Sequence, residues 1–417
     1  MLVPIGDVVC EDIGRGPVAA RPGAAIGTAR RIAPVKWLVH CPGSLRGYAM
    51  IDTLLVLNTG SSSLKFQVFA YDSLDVLLAG KVTGIGGAAT LSARFGDPVE
   101  NYRQAVGGND HDSALRAVVA LIEKHGGDRK IDAVVHRIVH GGPKFVEPVI
   151  ITSAILAELE ALDPLAPLHQ PHNLAGVIAA RHFASDAPNI GCFDTGFHAG
   201  HAEILTTFAI SQDLRDKGIR RYGFHGLSYE WIARELEEQH PELHRGRVVV
   251  GHLGNGASLC GLKGGVSIDT TMSMTALDGL PMGTRSGAID PGAILFMLRD
   301  LGFDIDRLER ALYDEAGLQG LSGISNDVET LLASPDPRAA FAIEHFALKA
   351  AQYAAMMAVS MGGMDAFVFT GGIGEHAAPV RNAILAHLAF LGDFKVLVIP
   401  ANEERMMAIK AKKLLAA

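Results

Sequence analysis

Two arginines, a histidine and two carboxylates stand beside glycine-containing turns: Arg137 in AVVHRIVHGG, Arg285 in MGTRSG, His225 in RRYGFHG, Asp194 in CFDTG and Glu375 in GGIGE. A guanidinium fork suits bidentate recognition of a carboxylate or a phosphoryl group. Carboxylates at strand ends suit Mg²⁺, which keeps several waters and takes few protein oxygens. Each residue also has an ordinary reading: a strand-end arginine is more often solvated or paired, a histidine among aromatics more often packs, and Asp194 has the position of a helix cap. His169 and His172 in LAPLHQPHN have no third ligand at metal spacing, so a zinc site finds no support.

Three glycine-rich turns give these groups something to act on. NTGSSSLK, Asn58 to Lys65, follows an apolar strand; its small residues let backbone N–H groups approach an anion, and Lys65 adds a positive charge. Alone it is only a tight hairpin. GNGAS, Gly254 to Ser258, and GGIGE, Gly371 to Glu375, repeat the theme. Three such turns at equivalent places in a duplicated frame point to phosphates bridged across a cleft. No G-x-x-x-x-G-K-[ST] element occurs, which excludes a P-loop kinase.

The elements that must position these residues read twice along the chain. First come strands DTLLVLN and KFQVFAY, an extended stretch at 76–82, a helix at 114–124, a strand at 132–137, helical segments near Ile155 and Leu174, and the strand NIGCFDTG. The order then returns: RVVVGHL, GNGAS, SLCGLK, an extended piece at 265–269, helices, DAFVFTGG and a final helix. Three strands followed by alternating helices and strands indicate an α/β fold with mixed sheets. Two copies rather than many indicate like domains facing a cleft.

Composition sets the outer bounds. The 417 residues exceed one ordinary core, 48% hydrophobic and 20% charged residues describe a globular chain, and the formal charge of −8 is spread out, against a nucleic-acid surface. Cys10, Cys41, Cys192 and Cys260 form no C-x-x-C pair; with no signal-peptide profile and no 18-residue apolar run, a cytoplasmic location and no membrane contact are expected. Residues 1–49 are rich in Gly, Pro, Ala and Arg. They read as a disordered extension or an incorrect start rather than a transit peptide, with Met50 as the expected native start.

Together the segments NTGSSSLK, HRIVHGG, LAPLHQPHN, FDTGFH, RRYGFHG, HLGNGAS, GLPMGTRSG, GLSGISND and FTGGIGE, in this order from about Met50 to the C-terminus, resemble the acetate kinase family. That family lies within the superfamily of acetate and sugar kinases, actin and heat-shock ATPases. The resemblance implies a duplicated ribonuclease H-like, actin-like fold, with residues 50–195 plus 376–417 as the first domain and 196–375 as the second, which binds nucleotide and forms a homodimer. It implies reversible in-line transfer of the ATP γ-phosphoryl group to acetate or propionate, giving ADP and an acyl phosphate such as acetyl phosphate, with Mg²⁺ as cofactor and Mn²⁺ as substitute. Asn58 and Glu375 would hold the metal, Arg137 the carboxylate, His225 and Arg285 the transferring group, and Asp194 would be the acidic active-site residue. Val139, Leu168, Phe224 and Ala276 would form the small-substrate pocket. Lys65, the run His252, Leu253, Gly254, Asn255 and Gly256, the run Asp327, Val328 and Glu329, and the run Gly371, Gly372, Ile373, Gly374 and Glu375 would line the nucleotide site.

Physical chemistry refines that expectation. A carboxylate with a reference pKa of about 4 is already ionised at neutrality, so attack on phosphorus needs no general base, and the charge of Asp194 is expected to matter more than proton transfer. Departures from the family pattern fall at Ala276 (commonly proline), Ala288 (aspartate), Glu329 (a basic residue) and His376 (asparagine). The first two enlarge the pocket edge toward propionate, and the others leave nucleotide preference open. A propionate or butyrate kinase, or a silent actin-like ATP-binding module, are the competing readings.

Overall fold

The computed structural model describes residues 52–417 except 61, 97–98 and 126–129. The extension and the start expected at Met50 lie outside them. Strands β1 (Thr53–Thr59), β2 (Ser63–Ala70), β3 (Val76–Thr83), β4 (Thr90–Phe95), β5 (Glu100–Ala105), β6 (Ala133–Ile138), β7 (Val149–Ile150) and β8 (Asn189–Phe193) form one sheet. Its order is β5-β4-β3-β2-β1-β6-β8-β7. Strands β9 (Arg247–Leu253), β10 (Ala257–Lys263), β11 (Val266–Thr270), β12 (Ala366–Thr370) and β13 (Lys395–Val398) form a second, ordered β11-β10-β9-β12-β13.

The duplication read from the sequence is a duplication of topology. In the first sheet β1 is antiparallel to β2 and parallel to β6, which is parallel to β8. In the second, β9 stands in the same relations to β10 and β12, and β12 to β13. The mixed-sheet, actin-like fold is therefore present. Strand β13 hydrogen-bonds to β12, so the second sheet extends to Val398, beyond the boundary expected at 376. Only the last helix, Glu403–Leu415, returns to the first sheet, packing on β1, β2, β6 and β8.

Central strands are apolar on both faces because both faces are covered. Leu55 and Leu57 pack with Leu115 and Val118 of the helix His111–His125, whereas Leu54 and Val56 pack with Met407 and Ala411 of the last helix. The second sheet repeats this: Val249 and Phe367 face the helix Pro337–Met361, and Val250 and Val368 face the helix Gly226–Gln239. Each fully buried side chain of this kind contributes about 1.5–3 kcal/mol. The helices Gly226–Gln239 and Glu403–Leu415 pack against each other and join the two halves. Residues at the ends of β1, β6 and β8 thereby share a cavity with Gly256 of the turn after β9.

Candidate active site

Arg137 leaves the end of β6 and meets the end of β8. Its Nε donates to both carboxylate oxygens of Asp194 at 3.0 Å, and Nη2 donates to Asp194 Oδ2 at 2.6 Å. Nη1 lies 3.4 Å from Asn58 Oδ1 at the end of β1 and 3.4 Å from Glu403 Oε2 in the last helix. Asp194 is 2% exposed. Burial pushes its carboxyl above the usual carboxylate range against the pull of Arg137. Burial works against the Arg137 charge, but Asp194 and Glu403 outweigh it and hold the guanidinium firmly protonated. Asp194 thus holds the Arg137 fork with both of its carboxylate oxygens.

The other half supplies the opposite wall. His225 has a left-handed backbone (φ 58°) at the start of the helix Gly226–Gln239, a conformation rare outside glycine and concentrated at functional positions. The neighbouring glycine permits it: Gly226 N–H donates to the Asp194 carbonyl at 2.9 Å, and a Cβ on Gly226 would sit 2.2 Å from that oxygen. His225 Nδ1 is bonded to Ser258 Oγ at 2.8 Å, and that hydroxyl is also bonded to Tyr229 Oη. Nε2 is left facing Gly256. Burial, then His252, Arg137 and Arg285, hold His225 well below the usual imidazole range, so it is a neutral hydrogen-bonding group at pH 7.

Arg285 completes the set. One of its Nη2 protons points to His169 Nε2 at 2.8 Å, and Nη1 donates to the Ala276 carbonyl at 3.2 Å. Burial, then Arg285 and Arg137, lower His169 to about 3, which keeps its ring nitrogen an acceptor. A cavity of about 170 Å³ is lined by Asn58, Arg137, Val139, Asp194, Phe224, His225, Ala276 and Arg285 with Thr59, Gly60, His169, Asn173 and Gly256. That is below the range of about 300–1,000 Å³ typical for drug-sized ligands.

Some expected residues lie elsewhere. Leu168 is half-buried but does not line the cavity, where its neighbour His169 stands instead. Lys65 projects from the outer face of β2 into a separate concavity. GGIGE is not a free turn: Gly371–His376 is a short helix after β12, opened by Gly371 at φ 79°. Glu375 Oε1 accepts from the N–H groups of Gly371 and Ala401 at 3.0 and 2.9 Å. Both bonds use one carboxylate oxygen, Oε1. Val328 is buried in the core and the Asp327 carboxylate caps the helix Val328–Ala333, leaving exposed Glu329 and the backbone of that turn. Asn255 bridges toward Asn326 and accepts, through its carbonyl, from Gly283 N–H, which ties the glycine turn 254–256 to the loop bearing Arg285.

The sequence reading missed Glu403 and Glu404, and it assigned no role in the site to His169 and Asn173. Asn173 Nδ2 donates to the Thr59 carbonyl at 2.6 Å, while its Oδ1 accepts from Val139 N–H at 2.9 Å, locking two cavity walls together. Glu404 Oε1 accepts from Asn58 Nδ2 at 3.4 Å. Burial would raise Glu403, but Arg137, then His252 and Lys65, pull it below its ordinary value. Asn58 Oδ1 and Glu403 Oε2 therefore converge on one cationic atom, Arg137 Nη1. A hard, oxygen-seeking dication that keeps most of its waters fits this donor pair.

Comparison with known proteins gives the family. The family model described as the acetokinase family matches residues 53–396. An acetate kinase of Nitrobacter hamburgensis is 42% identical over 389 residues, covering 86% of this chain and 95% of its own. One from Rhodopseudomonas palustris is 45% identical over 351 residues, covering 82% and 88%. Among solved structures, a Porphyromonas gingivalis acetate kinase superposes with a TM-score of 0.78 at 32% identity, covering 88% of this chain and 100% of its own. A Francisella tularensis propionate kinase gives 0.80 at 32% identity, covering 86% and 98%.

Proposed function

The chain belongs to the acetokinase family, and we propose from that premise which of its residues carry the reaction and what the reaction needs. It is a phosphotransferase that moves a phosphoryl group reversibly between ATP and acetate. The observation that carries the residue assignment is that Arg137 and Arg285, from the two halves, line one small cavity with His225. Arg137 takes the acetate carboxylate, oriented by Asp194. Arg285, steered by His169, and His225 through Nε2 take the phosphoryl oxygens, where charge rests in a loose in-line transfer. Val139, Phe224 and Ala276 face the substrate alkyl group; a pocket of this kind separates acetate from propionate by only about 1–3 kcal/mol. The turns at 252–256, 327–329 and 371–374 form the nucleotide side.

Mg²⁺, with Mn²⁺ as substitute, is held by Asn58 and Glu403 in this reading, with Glu404 supporting Asn58. Bound there, the ion would neutralise charge on the nucleotide phosphate oxygens. Glu403→Gln should raise the Mg²⁺ concentration for half-maximal activity by about tenfold or more, whereas Glu375→Gln should leave it unchanged. A metal titration of both variants decides this, and the reverse ranking would return the metal to Glu375.

We further propose a homodimer through the second half. The helix Pro291–Arg299, PGAILFMLR, buries none of its side chains, and Leu295 and Phe296 are 47% and 54% exposed. Leu301, Ile305 and Phe341 are exposed as well. An apolar helix left in water marks a protein interface. Phe296→Asp should halve the mass found by sedimentation equilibrium; a wild-type monomer at micromolar concentration contradicts the proposal. We place the enzyme in the cytosol, since Cys192 and Cys260 are buried free thiols that persist in a reducing compartment. Burial pushes the Cys192 thiol up to about 12. Recovery of the native protein in an oxidising compartment would refute that placement. Among the described residues no helix is long and apolar enough to cross a membrane.

A further inference from the structure

We infer that the open face of β2–β5 is a binding site for an oligophosphate chain, separate from the catalytic cavity. Strand pairing sets Lys65 directly opposite Lys81, Lys81 opposite Ser92, and Ser92 opposite Arg103. Arg94 lies on the same face, opposite Ala79 and Asn101. The alternate residues Leu64, Phe66, Val82, Leu91 and Ala93 are buried on the other face. Four cations therefore share one sheet surface, and among the described residues none of them makes an ion pair.

This arrangement is not what stability alone selects. Like charges directly opposite across a strand pair are destabilising. Cations do protect exposed sheet edges from pairing, which accounts for Arg103 on the edge strand β5. Lys65 and Lys81 are on the inner strands β2 and β3, where no edge needs protection. The chain carries a formal charge of −8, so this patch runs against the sign of the whole molecule.

Size and shape select the ligand. The concavity over this face holds about 610 Å³, the scale of a small-molecule site. Strands lie about 4.8 Å apart, so the three steps from Lys65 to Arg103 span about 14 Å. A linear polyanion can touch every cation over that length, whereas a compact anion cannot. Gln67, Ser92 and Asn101 add neutral partners, and arginine forks favour phosphate. The one acid in the lining, Glu404, is bonded to Asn58, so the concavity opens beside the catalytic cavity without sharing its arginines. The phosphate chain comes either from inorganic polyphosphate or from the tail of a nucleotide.

The test is calorimetric titration of the full chain with inorganic tripolyphosphate at about 0.15 M salt, where exposed charges are well screened. Wild type and Arg285→Ala should bind it alike. The triple variant Lys81→Ala, Arg94→Ala, Arg103→Ala should bind at least about tenfold more weakly, about 1.4 kcal/mol, with kcat/KM for ATP and acetate unchanged. Should the triple variant not fold, the single Lys81→Thr, at a position threonine suits, should still weaken binding about threefold. A parallel titration with ATP names the source: tighter binding than tripolyphosphate that is lost in the variant points to a nucleotide, equal or weaker binding to the inorganic chain. Absence of tripolyphosphate binding to wild type at millimolar concentration overturns the inference. So does binding lost in Arg285→Ala but kept in the triple variant, and so does a raised KM for ATP in the triple variant, which would make the face part of the catalytic nucleotide site.

Discussion

Arg285→Ala should lower turnover about 10²–10³-fold while moving the KM for acetate by no more than a few-fold. The guanidinium is anchored by His169 Nε2 on one side and the Ala276 carbonyl on the other, so its orientation is set before substrate arrives. Groups held this way need no reorganisation when charge develops on the phosphoryl oxygens, and their loss falls on kcat. Burial, opposed by Tyr313 and aided by Arg137, makes the Arg285 charge costlier to keep than in water. Lysine at this position should recover little, because a point charge cannot hold both anchors. Steady-state kinetics decide the matter: a raised KM with nearly normal turnover would make Arg285 a ground-state binder instead.

Arg137→Ala should act on stability as much as on activity. Asp194, 2% exposed, receives three hydrogen bonds from this one side chain, and removing it leaves a buried carboxylate with no partner. Breaking one side of a buried pair costs about 3–5 kcal/mol. Denaturant unfolding should show that loss, and the surviving enzyme should need far more acetate for half-saturation. Adding Asp194→Asn should restore part of the stability but none of the acetate affinity, since the buried charge is gone and the carboxylate clamp still missing. A variant as stable as wild type would mean that Asp194 is satisfied by other groups and does not act through Arg137.

Much of this was legible because long apolar strands announce themselves. DTLLVLN and RVVVGHL are β1 and β9 nearly to the residue, and their repetition carried the duplication. Strands β4 and β5 were not anticipated: ENYRQA exposes five of its six residues and has no buried face to write an alternation into the sequence. Strand β13 was missed for a similar reason, being four residues long and mostly exposed. Arg137, Arg285, Asp194 and His225 were singled out by their glycine neighbours, and the fold brings all four to one cavity. Glu403 and Glu404 were not, because acids following Asn402 at a helix start carry the signature of an N-cap, which Asn402 does form toward Arg405 N–H. Glu375 was singled out from its glycine neighbours, and its Oε1 also has a structural task in that turn.

Phosphoryl transfer to a carboxylate in the cavity between Arg137 and Arg285 is the central proposal. The most direct measurement is acyl hydroxamate formation by the purified chain with Mg²⁺-ATP and hydroxylamine, with acetate, propionate and butyrate supplied at equal concentration. Acetyl hydroxamate should form at least as fast as propionyl hydroxamate, with both slowed about 10²–10³-fold in Arg285→Ala. ATP binding without any hydroxamate from the three acids would contradict the proposal.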